Sequence, residues 1–182
     1  ATDSEIMKHL IVAGNALRKC AMQRDEEPCM YPLYKYVCRR TYAGKPVEIV
    51  IKEKIFKGDL TEEQREALGY SPICTEEEQY EEVDIYTWIR IVTTESGRKM
   101  CRENQEVDGV ELPGRRSQYR LNESPWLPLR WNKIDGENYG RGHVEDLLGD
   151  LISCDGLRHS IVDAAAASAR LLLLVDPGSP ID

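Results

Sequence analysis

Gly136, Gly140, Arg141 and Gly142 are the first place in this sequence where residue type and spacing invite chemistry. A glycine-rich bend that leads from a strand into a helix is how phosphate loops are built. Glycine lets backbone N–H groups approach an anion, and the helix start favours negative charge. The spacing here does not fit G-x-x-x-x-G-K-[ST], and no lysine followed by a hydroxyl residue opens the helix, so a nucleotide site is not expected. Two readings of the elbow, with Tyr139 in its middle, stay open. Either the positive helix end and Arg141 hold a carboxylate or a DNA phosphate, or the segment is a plain turn with Asn138 or His143 helping to cap.

The other reactive residues give less. The three histidines are His9, His143 and His159. His143 with Glu145 or Asp146 would be a partial metal site, but ligands so close in sequence rarely converge on one ion. The serine nucleophile elbow G-x-S-x-G is absent. Cys20, Cys29 and Cys38 are evenly spaced, while Cys74, Cys101 and Cys154 are scattered, and no C-x-x-C pair or Cys/His quartet occurs. The expectation is six free thiols, no metal, no cofactor and no catalysis.

The elements around the elbow are more telling. Trp126, Leu127, Leu129 and Trp131 read as a strand, which Asp135-Gly136 stops with turn chemistry. From Val144 onward the apolar positions include Leu147, Leu148, Leu151, Ile152, Leu157, Ile161, Val162 and Ala165, at spacings dominated by three and four, the period of a helix face. Glu145 and Asp146 suit its first turn and Arg170 its last. Continuous over 142–170, such a helix would be roughly 40 Å long. Gly149 and Gly156 each cost about 1 kcal/mol inside a helix, so they predict a bend near Asp155-Gly156, a neighbouring backbone, or two shorter helices. The run Ala164, Ala165, Ala166, Ala167 offers a flat surface to another helix.

Upstream, residues 3–14 read as a helix ended by Gly14, 16–22 as a strand, and 30–42 as a tyrosine-rich strand. Gly44-Lys45-Pro46 then turns into the alternating Val47, Ile49 and Ile51. Thr61 and Gln64 form a capping box before a short helix ended by Gly69. Val83, Ile85, Thr87, Ile89 and Ile91 alternate into another strand, Glu95-Ser96-Gly97 turns the chain, and Asp108-Gly109 marks a hairpin. The fold class is therefore α+β: a β-rich meander with short helices, followed by a long helix and one more strand.

The chain has 182 residues, 41% hydrophobic and 31% charged, with a net charge of −8. That is enough for one or two domains with a real core. The longest mostly apolar run, 161–175, contains Asp163 and Arg170 and falls short of the roughly 20 residues that span a bilayer, so no membrane partner is expected. The segment TEEEQYEEVD, 75–84, carries acids and no base. It reads as a solvated loop and argues against tight nucleic-acid binding by counterion release.

The run IDGENYGRGHVEDLLGDL, followed by an alanine-rich helix and LLLLVDPG, resembles the portal, or head-to-tail connector, proteins of short-tailed bacteriophages. The segment IMKHLIVAGNALR is similar to the helix and strand that precede the β-rich region in those proteins. The resemblance implies a wing over 1–134, an elbow and channel-lining stem helix over 135–170, and the start of a clip over 171–182. It implies a dodecameric ring at the capsid vertex of the virion, assembled in the host cytoplasm, with capsid, terminase and tail adaptor proteins as partners. Double-stranded DNA would pass through without sequence-specific contacts. Glu145, Asp146, Asp150 and Arg158 would then belong to the DNA channel, with Arg141, Arg158 and Arg170 pairing mostly with acids of neighbouring subunits. Gly136, Tyr139, Gly140 and Arg141 would form the elbow, and Ala165, Ala166, Trp126 and Trp131 would pack subunits. A start without Met and an end just after an unpaired strand, 171–175, give the expectation of a fragment. The alternative class is a β-rich adaptor with one projecting helix.

Overall fold

The computed structural model of this chain describes residues 2–22 and 26–169. Among them are α1 (Thr2–Ala13), β1 (Asn15–Lys19), β2 (Cys29–Pro32), β3 (Tyr36–Arg40), β4 (Pro46–Phe56) and α2 (Glu62–Ala67). There follow β5 (Glu82–Thr93), β6 (Lys99–Val107), β7 (Val110–Arg120), β8 (Trp126–Arg130) and α3 (His143–Ser168). The class is mixed α+β, as expected, with two antiparallel sheets: a five-stranded meander in the order β3-β4-β5-β6-β7 and a three-stranded sheet in the order β2-β1-β8. Contacts divide the chain into two units, 1–145 and 146–182.

Local chemistry explains most of the elements. Thr61 Oγ1 accepts from Gln64 N (3.4 Å) and Thr61 N donates to Gln64 Oε1 (3.2 Å), the reciprocal capping box that starts α2. Gln64 also donates to the Pro113 carbonyl at 3.0 Å, which ties α2 to β7. At the β6–β7 hairpin both Asp108 (φ +50°) and Gly109 (φ +80°) take the left-handed conformation that a tight two-residue turn requires.

The core lies between the sheets. Alternate residues of β4 and β5, including Ile49, Ile51 and Ile89, pack with Leu17 of β1 and Trp126 of β8. A second cluster of Leu60, Ile85, Val107 and Leu112 lies toward the α2 end of the meander, and α1 lays Ile6 and Leu10 on Ala16. Full burial of one such side chain contributes about 1.5–3 kcal/mol.

Three expectations need correction. The strand expected over 30–42 is two strands with a 3-10 turn, Leu33–Lys35, between them; Pro32 lacks the N–H that would continue the ladder. The strand expected over 16–22 ends at Lys19, after which Cys20 N bonds the Pro125 carbonyl. The acidic segment is not simply a solvated loop. Glu78–Tyr80 forms a 3-10 turn, Glu82 and Asp84 belong to β5, and Glu81, Glu82 and Asp84 pair with Lys57, Lys54 and Lys52. The expected long helix is present: α3 runs over 26 residues, and the alternative of two shorter helices falls away. Neither Gly149 nor Gly156 has another part of the described chain within 4 Å of where a side chain would begin. Arg170 and the clip segment 171–182 lie outside the described residues.

Candidate functional site

The elbow is a joint built by close backbone approach. Gly14, at φ +72°, ends α1, and a side chain there would collide with the backbone of Arg141 and Gly142. One on Gly142 would strike the Val12 carbonyl, and one on Gly140 would come within 2.8 Å of the Asn132 carbonyl. Three glycines therefore let two stretches of main chain touch where L side chains have no room.

Asn15 closes the joint. Its Nδ2 donates to the Gly140 carbonyl at 2.7 Å and to the Ala13 carbonyl at 2.9 Å, and its Oδ1 accepts from Gly140 N at 2.8 Å. Trp131 N donates to the Gly14 carbonyl at 2.9 Å, and Asn132 and Arg141 exchange two backbone bonds. The middle of the elbow is held by β3: Tyr139 Oη accepts from Cys38 N at 2.9 Å and Asn138 Oδ1 accepts from Arg40 N at 2.8 Å. Arg40 returns hydrogen bonds to the carbonyls of Asn138, Gly44 and Pro128. Burial lowers the Arg40 pKa from its ordinary value, and these three acceptors satisfy a charge that water reaches only in part.

This geometry favours the turn reading at Gly140 and Arg141. The N–H groups of Gly140 and Arg141 are spent on Asn15 Oδ1 and the Asn132 carbonyl, so they are not arrayed for an anion. The Arg141 guanidinium lies 3.5 Å from Glu137 and 3.4 Å from Glu145. Within the chain its ion-pair partners are thus Glu137 and Glu145. The two residues expected to cap the helix are engaged elsewhere. Asn138 is committed to β3, and the His143 ring rests edge-on against Trp131 at 5.6 Å. Gly136, at φ +84°, has open space around it and serves the turn after β8 alone.

The remaining candidates separate into two environments. Trp126 is only 6% exposed. Its Nε1 donates to Glu103 at 2.8 Å and its ring meets Tyr31, so the chain's own core accounts for a residue expected to pack subunits. Trp131 keeps 38% of its surface exposed. Glu145, Asp146, Asp150, Arg158, Ala165 and Ala166 are all exposed on α3, as are Val144, Leu147, Leu148, Leu151, Ile152 and Ile161. The hydroxyls of Ser153, Ser160 and Ser168 turn back onto carbonyls one turn earlier, at 2.8–3.0 Å. Asp155 faces His159 at 3.7 Å.

Among the described residues no group of three or more His, Cys, Asp or Glu is arranged to hold a metal ion, and no helix is long and apolar enough to cross a membrane. All six cysteines carry free thiols. Cys38 and Cys101 are buried, which raises their pKa, while Cys29 and Cys154 are exposed. Sequence reasoning missed Asn15 and Arg40. The only local signal was an asparagine directly after a helix-ending glycine, and nothing in Arg40's surroundings in sequence pointed to residue 138.

Comparison with known proteins gives a consistent picture. The family described as bacteriophage head to tail connecting protein matches residues 1–181. The portal protein of Enterobacteria phage T3 is 38% identical over 175 residues, covering 95% of this chain and 32% of the relative. That of Escherichia phage T7 is 34% identical over 176 residues, with 95% and 32% covered. That of Pseudomonas phage phiKMV is 31% identical over 178 residues, with 95% and 33% covered. The chain therefore spans about a third of the length of these relatives.

Proposed function

We propose that this chain, which belongs to the family of bacteriophage head to tail connecting proteins, acts as part of a portal subunit: a structural component of the virion that assembles into a ring at one capsid vertex. The observation that carries this reading is the match along residues 1–181, shared with portal proteins over 95% of the chain. Within it, 1–134 is the wing, 135–170 the elbow and stem helix, and 171–182 the start of the clip. The clasped joint at Gly14, Asn15 and Gly140 gives a fixed root from which a stem can start.

In this reading α3 lines a channel, and its chemistry suits passage rather than grip. Glu145, Asp146, Asp150, Asp155 and Asp163 repel phosphates, while Arg158 offers a cation at a wide interval. The apolar side chains exposed along α3, with Ala165 and Ala166, are covered by neighbouring copies, and Trp131 takes part in packing at the elbow. Double-stranded DNA passes during packaging and ejection, and capsid, terminase and tail adaptor proteins attach around the ring, which is dodecameric. The chain does no catalysis. The adaptor reading is not favoured, because the family match runs the length of the chain.

Electron microscopy of the whole protein that carries this sequence tests the proposal. Closed rings with a central channel are expected, and a protein that stays strictly monomeric at high concentration overturns it. Fluorescence anisotropy with duplex DNA on assembled rings is expected to show weak, sequence-independent association with a shallow salt dependence.

A further inference from the structure

We infer that the outer face of the five-stranded sheet is a docking surface for the acidic segment of a second copy of this chain. Register sets out that face, which lies opposite the core. One row runs Arg39, Glu48, Arg90, Arg102 and Gln118 across β3 to β7. Arg90 and Arg102 are directly opposite one another, a like-charge pairing that disfavours the sheet it sits in. Among the described residues neither has an ion-pair partner.

The row's single carboxylate is already shared. Glu48 accepts from Trp88 Nε1 at 2.8 Å and lies 3.4 Å from Arg39. The Arg90 guanidinium is stacked over the Trp88 ring at 4.1 Å, which fixes its plane. Next to it Asn104, 5% exposed, has its Oδ1 without a hydrogen-bond partner. In the same neighbouring row Val37 is 59% exposed and faces Val50. The surface is thus cationic with an apolar flank, in a chain whose net charge is −8.

The complementary surface is the segment before β5. Glu76, Glu77 and Glu78 are exposed and have no ion pair among the described residues, whereas the next three acids are held by Lys57, Lys54 and Lys52. A hydrogen bond from Thr75 N to Glu78 holds that carboxyl below its usual range and keeps it charged. Ile73 and Tyr80, 78% and 70% exposed, flank the three glutamates with apolar surface. The segment therefore offers the carboxylates of Glu76 and Glu77, with Glu78 held by Thr75, beside apolar side chains, and the face offers Arg90 and Arg102 beside valines.

The two surfaces cannot meet within one molecule. Glu82 and Arg90 lie in the same strand, and eight residues of strand separate them by roughly 26 Å. A contact between different surfaces of two copies is head-to-tail, the kind that closes into a ring when its rotation divides a circle. The inference rests on the ring reading for its occupant, and the charge matching is this chain's own.

Charge reversal tests it on the whole protein, with assembly followed by sedimentation velocity across a concentration series. Arg90→Glu with Arg102→Glu, and separately Glu76→Arg with Glu77→Arg and Glu78→Arg, are each expected to raise the concentration for half-assembly about tenfold or more. The two sets combined in one chain are expected to restore most of the loss. The three glutamates are exposed and the two arginines half-buried, and unchanged circular dichroism melting of each variant confirms the fold. If the parent assembles and either reversed set assembles equally well, or the combination does no better than its parts, the contact is wrong and the ring reading stands. If the parent never assembles, the ring reading itself has failed. If Arg90→Glu with Arg102→Glu spares assembly but abolishes retention of duplex DNA, the face serves nucleic acid and the inference is overturned.

Discussion

Glycines on the two sides of residue 145 are there for different reasons. Gly14, Gly140 and Gly142 are pressed against other backbone, and none of the three leaves room for even a methyl group. Gly149 and Gly156 lie in α3 with nothing nearby in the described chain. The contrast extends to every other side chain. In the first unit, apolar residues are buried between two sheets and buried polar groups such as Asn15 and Glu103 are matched inside the chain. From Glu145 to Ala169 every described side chain is exposed, including leucines and isoleucines that water disfavours. One region buries most of its apolar surface within itself; the other carries apolar surface that no described part of the chain covers.

The sharpest way to break this comparison is to make the same substitution on both sides. Gly14→Ala combines a left-handed conformation with a backbone collision, and is expected to lower stability by about 3 kcal/mol or to prevent folding, read by chemical denaturation. Asn15→Ala removes the clasp and leaves the buried Gly140 N–H and carbonyl unmatched, a loss of about 2 kcal/mol in the same measurement. Gly149→Ala should do the opposite, raising helicity by circular dichroism and stabilising α3 by up to about 1 kcal/mol, since nothing in the described chain resists a methyl group there. A Gly149→Ala variant that weakens ring assembly while raising helicity would sharpen the comparison, by placing a neighbouring copy against that glycine.

Smaller effects follow from the core. Burial raises the pKa of Tyr31, Tyr36 and Cys38, with the Glu53 carboxylate adding to the effect on Tyr31 and the Cys38 thiol to that on Tyr36. These groups deprotonate more readily when unfolded, so the unfolded state binds fewer protons at alkaline pH. Their contribution is intact below about pH 9 and is lost as pH rises through the raised folded values, which a series of melting curves will show. Iodoacetamide should modify Cys29 and Cys154 first, with Cys38 and Cys101 reacting only after unfolding, as mass spectrometry of timed samples can resolve. A disulfide such as Cys20 to Cys38 would contradict the free-thiol expectation.

Much of the fold was legible because its signals are local. The Thr61 and Gln64 box, the Asp108-Gly109 turn and the alternation through Ile85 and Ile89 each act over a few residues, and each appears where the sequence placed it. Pairing at long range was not legible. Nothing near Trp126 indicates that β8 lies beside β1, and nothing near Asn15 indicates Gly140. The arginine row is hidden for the same reason: Arg39, Arg90 and Arg102 belong to three strands and become neighbours only through register. Gly149 and Gly156 left one long helix or two shorter ones open, and the helix is continuous because glycine's penalty is small beside what the rest of a long helix contributes.

Hydrogen exchange on the whole protein, at concentrations below and above assembly, tests the central claim most directly. The account predicts that amides of the two sheets are protected at both concentrations, while those from Val144 to Ser168 gain protection only when rings form. Equal protection of α3 in monomer and assembly would contradict it.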